Sequence, residues 1–416
     1  MKPFIKIEKV IKNYDSVNIL FQTDDSLNQY FNIKEFNYSL LKCNIVPDSI
    51  LIIPFICNVL PIVWLKNAIL IVDKIDKSFL YSIEQFKLGY VNMYPNLKFN
   101  GSIQYKIIEE NIYEPQQNLV LFSGGIDAIC TVLRHKDENL KLLTLWGSAD
   151  FPIKDTKGWQ IHWNNINFNA SQLGLHCDYI KTNFCDFIPL WGEELNKLVA
   201  QGKDSWWHGF QHGIGIIGHA APYAYINKIK KVYIASSFDE SRKPYTCASD
   251  PTIDNYVKFG CTEVIHDGYE WNRQEKIKFI VNAIKTQQLK LKIHVCLRQY
   301  QLENCCKCEK CYRTILGLLA EGISPKSVGF NFDDNDLPAL IDDITHHIYL
   351  GKNKILTYKQ IQDRVIENKD HIQSKLLIQW MSKVNLDKIN DNIPQKIFTL
   401  KTNIKKWIRK NKMKLK

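Results

Sequence analysis

The chain has 416 residues, 45% apolar and 23% charged, which suits a globular protein too long for a single core and excludes the disordered classes. Its formal charge of +11 sits largely at one end, because the last 16 residues carry eight cations and no acid. The body is therefore not marked as a nucleic-acid binder, while the tail with Trp407 suits an anionic membrane, RNA or plain solvent.

The N-terminal residues have no apolar stretch of signal-peptide type, which points to a cytoplasmic protein. Val17 to Gln22 reads as a strand. The greasiest run, Ile50 to Leu65, is broken by Pro54, Asn58 and Pro61 and falls short of a membrane span; it reads as one or two buried strands within Ser49 to Val63. Phe79 to Val91 has helical spacing. These elements make residues 1–112 a small α+β domain, closed by the polar, proline-containing segment Tyr113 to Asn118.

Strand–helix alternation follows. Strands are expected at Leu119–Phe122, Leu140–Trp146, Asp178–Thr182, Lys231–Ser236 and Lys290–Val295. Helices are expected at Ile126–His135, Trp159–Leu173, Gly209–Asn227 and Arg273–Thr286. Short continuous apolar strands alternating with helices predict an α/β fold, a doubly wound parallel sheet over residues 113–330. Residues 331–416 read as helical, with Ile397, Leu400, Ile404, Trp407 and Ile408 on one face and Lys and Arg on the other.

The sharpest local signal is Leu121-Phe-Ser-Gly-Gly-Ile-Asp127, a buried strand running through two glycines into a helix. Glycines let the backbone turn tightly and approach a ligand, and the amides at a helix start favour an anion. Ser123 adds a hydroxyl, and Asp127 one turn in could hold a magnesium ion. A ligand-free strand–helix turn would look the same locally. The Walker and dinucleotide glycine patterns are absent.

Ser123, Gly124, Gly125 and Asp127 resemble the signature of the PP-loop ATP pyrophosphatases, also called adenine nucleotide alpha hydrolase-like enzymes, whose fold is of the HUP type. Ala128 departs from it, standing where that family has a second serine. The resemblance implies ATP binding by Ser123, Gly124, Gly125, Ile126, Asp127 and Ala128, with Trp146 and Gly147 on the adenine side.

Later, Cys296, Cys305, Cys308 and Cys311 form the pattern C-x8-C-x2-C-x2-C, which suits four thiolates on one structural zinc ion; Cys306 could replace Cys305, and an iron–sulfur cluster or free thiols are the alternatives. The other cysteines are scattered and read as small buried hydrophobes. The tetrad sharpens the resemblance toward 7-cyano-7-deazaguanine synthase and its longer synthase-like relatives. That covers roughly residues 117–322 and leaves the N-terminal unit and the C-terminal third unaccounted for. It implies adenylation of a carboxylate or amide, with AMP and pyrophosphate formed and a nitrogen nucleophile attacking.

Weaker features remain. His208, His212 and His219 share a helix face and read first as packing, with a metal or substrate role second. Gly209, Gly213, Gly215 and Gly218 suggest close helix packing. Asp239, Arg242, Asp250 and Asp254 lie in a polar segment expected to wall the substrate site. Arg273 could balance pyrophosphate charge and joins Asp127 as a catalytic candidate. Two other functions fit less of the pattern: sulfur insertion into RNA, which needs a reactive cysteine such as Cys185 or Cys247, and a non-catalytic nucleotide-binding scaffold.

Overall fold

The computed structural model describes residues 2–296 and 303–392. Contacts divide the chain into two compact units, Met1–Asn272 and Arg273–Lys416, so the boundary falls inside the span 113–330 expected as one domain.

The first unit is α/β and is built on one 11-stranded, mostly parallel sheet. In chain order its strands are β1 (Phe4–Lys12), β2 (Ser16–Thr23), β3 (Glu35–Ser39), β4 (Ile69–Asp76), β5 (Ser102–Glu109), β6 (Gln117–Leu121), β7 (Leu140–Trp146), β8 (Cys177–Thr182), β9 (Ile229–Ala235), β10 (Lys258–Phe259) and β11 (Thr262–Asp267). Their spatial order is β10-β11-β9-β6-β7-β8-β3-β2-β1-β4-β5. Strands β11, β9, β6, β7 and β8 run parallel, and the chain order reverses at β6, which lies between β7 and β9. In open α/β sheets the crevice at such a reversal, beyond the carboxyl ends of the strands, is where ligands bind.

The N-terminal strands continue this sheet. β3 pairs antiparallel with β8 at Tyr38↔Thr182 and Ser39↔Lys181. Asn183 extends the join: its carboxamide accepts from the Asn37 amide at 2.8 Å and donates to the Glu35 carbonyl at 3.0 Å. Phe21, Phe36, Phe55 and Phe187 meet in the core beside the join, with centroids 4.9 Å apart for Phe21–Phe55 and 5.0 Å for Phe36–Phe187.

The run read as strands at 49–63 is helical instead. A short turn over Asp48–Leu51 precedes α1 (Ile53–Leu65), with Pro54 in the first turn, where its missing N–H costs nothing, and Pro61 inside. Every residue from Ile53 to Trp64 is buried, so no amphipathic period marks the helix. The other helices of the unit include α2 (Lys77–Met93), α3 (Ile126–Arg134), α4 (Thr156–Gln172), α5 (His212–Ile217) and α6 (Ala220–Asn227). The single helix expected over 209–227 is thus broken: a π turn at Trp207–Gln211 leads into α5, and α6 follows.

The second unit contains α7 (Arg273–Gln287), α8 (Glu309–Ala320), α9 (Lys352–Glu367) and α10 (Lys375–Lys383). One of its ion pairs is bidentate and largely buried: Arg364 donates from Nε (2.8 Å) and Nη2 (2.7 Å) to Glu321, which also accepts from Gln274 at 2.8 Å. Lys290–Val295, expected as the fifth parallel strand, is irregular chain outside any sheet. Its backbone groups are met elsewhere: the Ile293 amide donates to the Val328 carbonyl, and Asn304 takes the Val295 amide and the Ile293 carbonyl. The fifth strand of the parallel set is β11. The tail helix face at Ile397–Ile408 lies outside the described residues. Among the described residues no helix is long and apolar enough to cross a membrane.

Candidate functional site

β6 ends at Leu121, and the Phe122 amide still bonds to the Leu143 carbonyl at 2.8 Å, so the chain leaves the sheet at Ser123. Gly124 turns it with φ +71°, a left-handed conformation that side chains disfavour. Gly125 is the N-cap of α3 and no side chain caps that end; its amide leans on the Ser123 hydroxyl at 3.4 Å. Ser123 is exposed, Asp127 is half-buried in the first turn, and Ala128 is buried. α3 is anchored below by Ile126, Ile129, Cys130 and Leu133, all buried at helical spacing. The turn therefore stands at the carboxyl end of β6, where the strand order reverses.

The neighbouring strand β7 ends in Trp146 and Gly147. Trp146 stacks on Trp159 of α4, with centroids 5.2 Å apart and planes 2° from parallel, and Lys181 Nζ sits 4.5 Å over its ring. The Trp146 indole Nε1 is buried without a hydrogen-bond partner. Gly147 has φ +109°, and a Cβ there would lie 1.8 Å from the Thr182 carbonyl oxygen. Its glycine is thus required by close packing on β8, whatever it faces outward.

The polar segment after β9 is heavily self-paired. Asp239 binds Arg242 Nε at 3.0 Å, Asp250 takes Lys243 at 2.5 Å and caps the turn at Pro251, and Asp254 accepts from Ser249 (2.7 Å) and contacts His266 Nδ1 (2.8 Å). Burial raises the Asp250 carboxyl, but hydrogen bonds from Lys243 and from the Thr252 hydroxyl and amide outweigh it and hold the group below its usual range. Nearby, His135 lies between Glu138 (2.8 Å) and Asp267 (3.0 Å), and the Asp267 hydrogen bond raises its pKa. Of the helix-face histidines, His219 is a core residue: burial pushes it down to about 4, and it meets Thr182 at 3.0 Å and the Gly215 carbonyl at 2.8 Å.

His208 differs. Its Nδ1 contacts both Asp204 oxygens at 3.1 and 3.2 Å, and the histidines hold the Cys247 thiol down at about 6 against its burial. Sequence reasoning named Cys247 only as an unsupported option and did not connect it with His208. The other option, Cys185, is half-buried, and desolvation pushes its thiol well up.

In the second unit the four cysteines converge. The sulfurs of Cys296, Cys305, Cys308 and Cys311 all lie within 4.8 Å of one another. Cys305–Cys311 and Cys308–Cys311 are 3.9 and 3.5 Å apart, and a tetrahedral zinc with Zn–S of about 2.3 Å requires about 3.8 Å. The donor set thus fits a metal ion. Cys308 is the N-cap of α8 and Cys311 lies in its first turn, so helical spacing and the helix start bring these two thiols together. Cys306 turns away, with φ +49° and its sulfur directed to the Asn304 carbonyl, which leaves Cys305 as the ligand. Cys296 lies in irregular chain rather than at the end of a strand, and Asn304 holds the residue before it, Val295. Arg273 opens α7 in this same unit and donates to Thr314 Oγ1 at 3.3 Å, whereas the glycine turn belongs to the first unit.

No family model matches the chain, and no curated protein matches it.

Proposed function

We propose that this chain is a PP-loop type, HUP-fold ATP pyrophosphatase that adenylates a carboxylate or amide, releasing pyrophosphate, for attack by a nitrogen nucleophile. One observation carries the reading: an uncapped helix start follows a left-handed Gly124, at the point where a parallel sheet reverses its strand order. Uncapped amides there suit a polyphosphate, since they supply fixed partial charge without a cation. Ser123, exposed at the turn, would add a hydroxyl, and Asp127 would hold a magnesium ion that neutralises the departing pyrophosphate. The unmatched Trp146 indole N–H at the end of the next strand supports a ligand acceptor on that side.

Most of the rate would come from holding the α-phosphorus in line with the attacking oxygen and from charge stabilisation by the loop amides. Ala128 removes one hydroxyl but leaves its backbone amide in place. Cys296, Cys305, Cys308 and Cys311 would hold a zinc ion in a closed, structural site that braces their loop and takes no part in the chemistry. The cytoplasm suits both halves of the reading, since it supplies ATP and keeps thiolate ligands reduced.

The test is pyrophosphate release from magnesium–ATP by the zinc-loaded full chain, with isothermal calorimetry for ATP itself. The reading expects ATP uptake that is weakened in Asp127→Asn. No uptake by the wild-type chain, or uptake indifferent to Asp127→Asn, refutes it.

A further inference from the structure

β5 and β10 close the two ends of the strand order, and the two edges are unlike. β10 has only two residues, and the start of α2 covers the turn after it. Ser78 Oγ donates to the Gly260 carbonyl at 2.8 Å, and Asp76, the N-cap of α2, accepts from the Gly260 amide at 3.0 Å. β5 has eight residues, about 26 Å of chain, and among the described residues its backbone pairs with β4 alone. Every residue from Gln104 to Ile108 is exposed, so the strand is uncovered on both faces, with Tyr105 at 41%, Ile107 at 50% and Ile108 at 41%. Proteins blunt long apolar edges with proline, charge, a bulge or a covering element. β5 has no proline and keeps one register along β4. Its charges are already matched, Lys106 by Asp73 at 2.8 Å and Glu109 by Lys74 at 2.6 Å.

The ladder fixes which backbone groups of β5 face outward. The Ser102 amide donates to the Ala68 carbonyl at 3.0 Å, and the strands then keep one register to Glu109. Backbone groups alternate sides along a strand. Even-numbered residues therefore turn N–H and C=O to β4, while Ile103, Tyr105 and Ile107 turn theirs outward. All three residues favour strands. A two-fold axis through Tyr105, normal to the sheet, maps this set onto itself. Tyr105 then faces Tyr105 of a second copy, and Ile103 faces Ile107 twice, which makes about six N–H···O bonds. Gln104 meets Lys106 and Ser102 meets Ile108, so no like charges stand directly opposite. An axis through Lys106 would set that lysine against itself, and one through Gln104 would leave Ile107 opposite Gly101.

We propose that β5 is a self-association edge: it pairs antiparallel with β5 of a second copy of this chain, about an axis through Tyr105, and joins the two sheets into one. The occupant is a second copy because the edge complements itself in sequence, in hydrogen-bond direction and in charge, a symmetry that a strand of another protein would not require. A two-fold contact of this kind is closed and stops at the dimer. The remaining edge, β10, is too short and too well covered to carry the assembly further. One strand pair is a small interface, at or below about 1,200 Å², which places dissociation in the micromolar range.

The test is sedimentation velocity of the zinc-loaded full chain from about 1 to about 100 µM, with circular dichroism as the check of folding. The expected result is a monomer–dimer equilibrium. Ile107→Pro removes an outward N–H and leaves the β4 ladder intact. The change enters the contact twice and should weaken the dimer by about a hundredfold. Tyr105→Lys and Tyr105→Glu should each weaken it by about tenfold, and mixing the two variants should restore it, because the position opposes its own copy. The Tyr105 pair decides alone if Ile107→Pro does not fold. A chain that stays monomeric at about 100 µM, a dimer indifferent to these substitutions, or two Tyr105 variants that do not recover on mixing overturns the proposal.

Discussion

Gly147→Ala tests the packing that sets the end of β7 beside the glycine turn. The added Cβ would stand 1.8 Å from the Thr182 carbonyl oxygen and 3.2 Å from Ile153 Cγ1, on a backbone with φ +109°. The carbonyl cannot give easily. Thr182 closes β8, pairs with Tyr38 across the β3–β8 join, and holds His219 through its hydroxyl at 3.0 Å. Positive φ costs a side chain about 1–2 kcal/mol. Forcing a tight core to shift on the order of 1 Å adds about 1–3 kcal/mol, for a total of roughly 2–5 kcal/mol. Gly174→Ala is the control: φ is +67°, and nothing lies within 4 Å of its Cβ, so about 1 kcal/mol of backbone cost remains. In urea unfolding followed by far-ultraviolet circular dichroism, with a slope of about 3 kcal/mol per molar, Gly147→Ala should lower the first transition midpoint by roughly 1 M and Gly174→Ala by about a third of that. Equal shifts in the two variants would refute the steric argument.

Three further outcomes follow from other parts of the chain. His135 titrates above its usual value through Asp267 and Glu138, so its contribution to stability is complete below about pH 6.5 and is lost as pH rises through the elevated folded value; in a urea series from pH 6 to 9, His135→Gln should flatten that loss. Chelation of the metal, or Cys308→Ser, should abolish the zinc detected by a colorimetric release assay and lower the thermal stability of the Arg273–Lys416 unit; a chain purified metal-free with unchanged stability would rule out a structural ion. Asn304→Ala leaves the Val295 amide and the Ile293 and Gly329 carbonyls without their partner, costing about 2–4 kcal/mol, and should weaken zinc retention by loosening the segment that carries Cys296 and Cys305.

The parts legible in the sequence were those whose information is local. Gln117–Arg134 is readable because a buried strand, a paired glycine and an apolar stripe each state their conformation within a few residues. Cys308 and Cys311 are readable because one helical turn places them together. By contrast, Ile53–Leu65 is apolar on every side, so neither a helical nor a strand period survives, and only its burial by surrounding elements decides for helix. Lys290–Val295 has a strand's composition, yet Asn304 and Val328 take backbone groups that a sheet would have used.

Composition and spacing alone thus determined an α/β chain with a glycine turn at the end of a buried strand and four cysteines spaced for a metal. Tertiary structure decided that the N-terminal strands extend the same sheet through β3 and β8, that Cys305 rather than Cys306 joins the tetrad, and that Arg364 meets Glu321. The division has a physical cause. Dihedral preference and residue spacing act over one or two turns of chain, whereas strand order, thiol orientation and an ion pair between distant segments exist only once the intervening backbone has been folded between them.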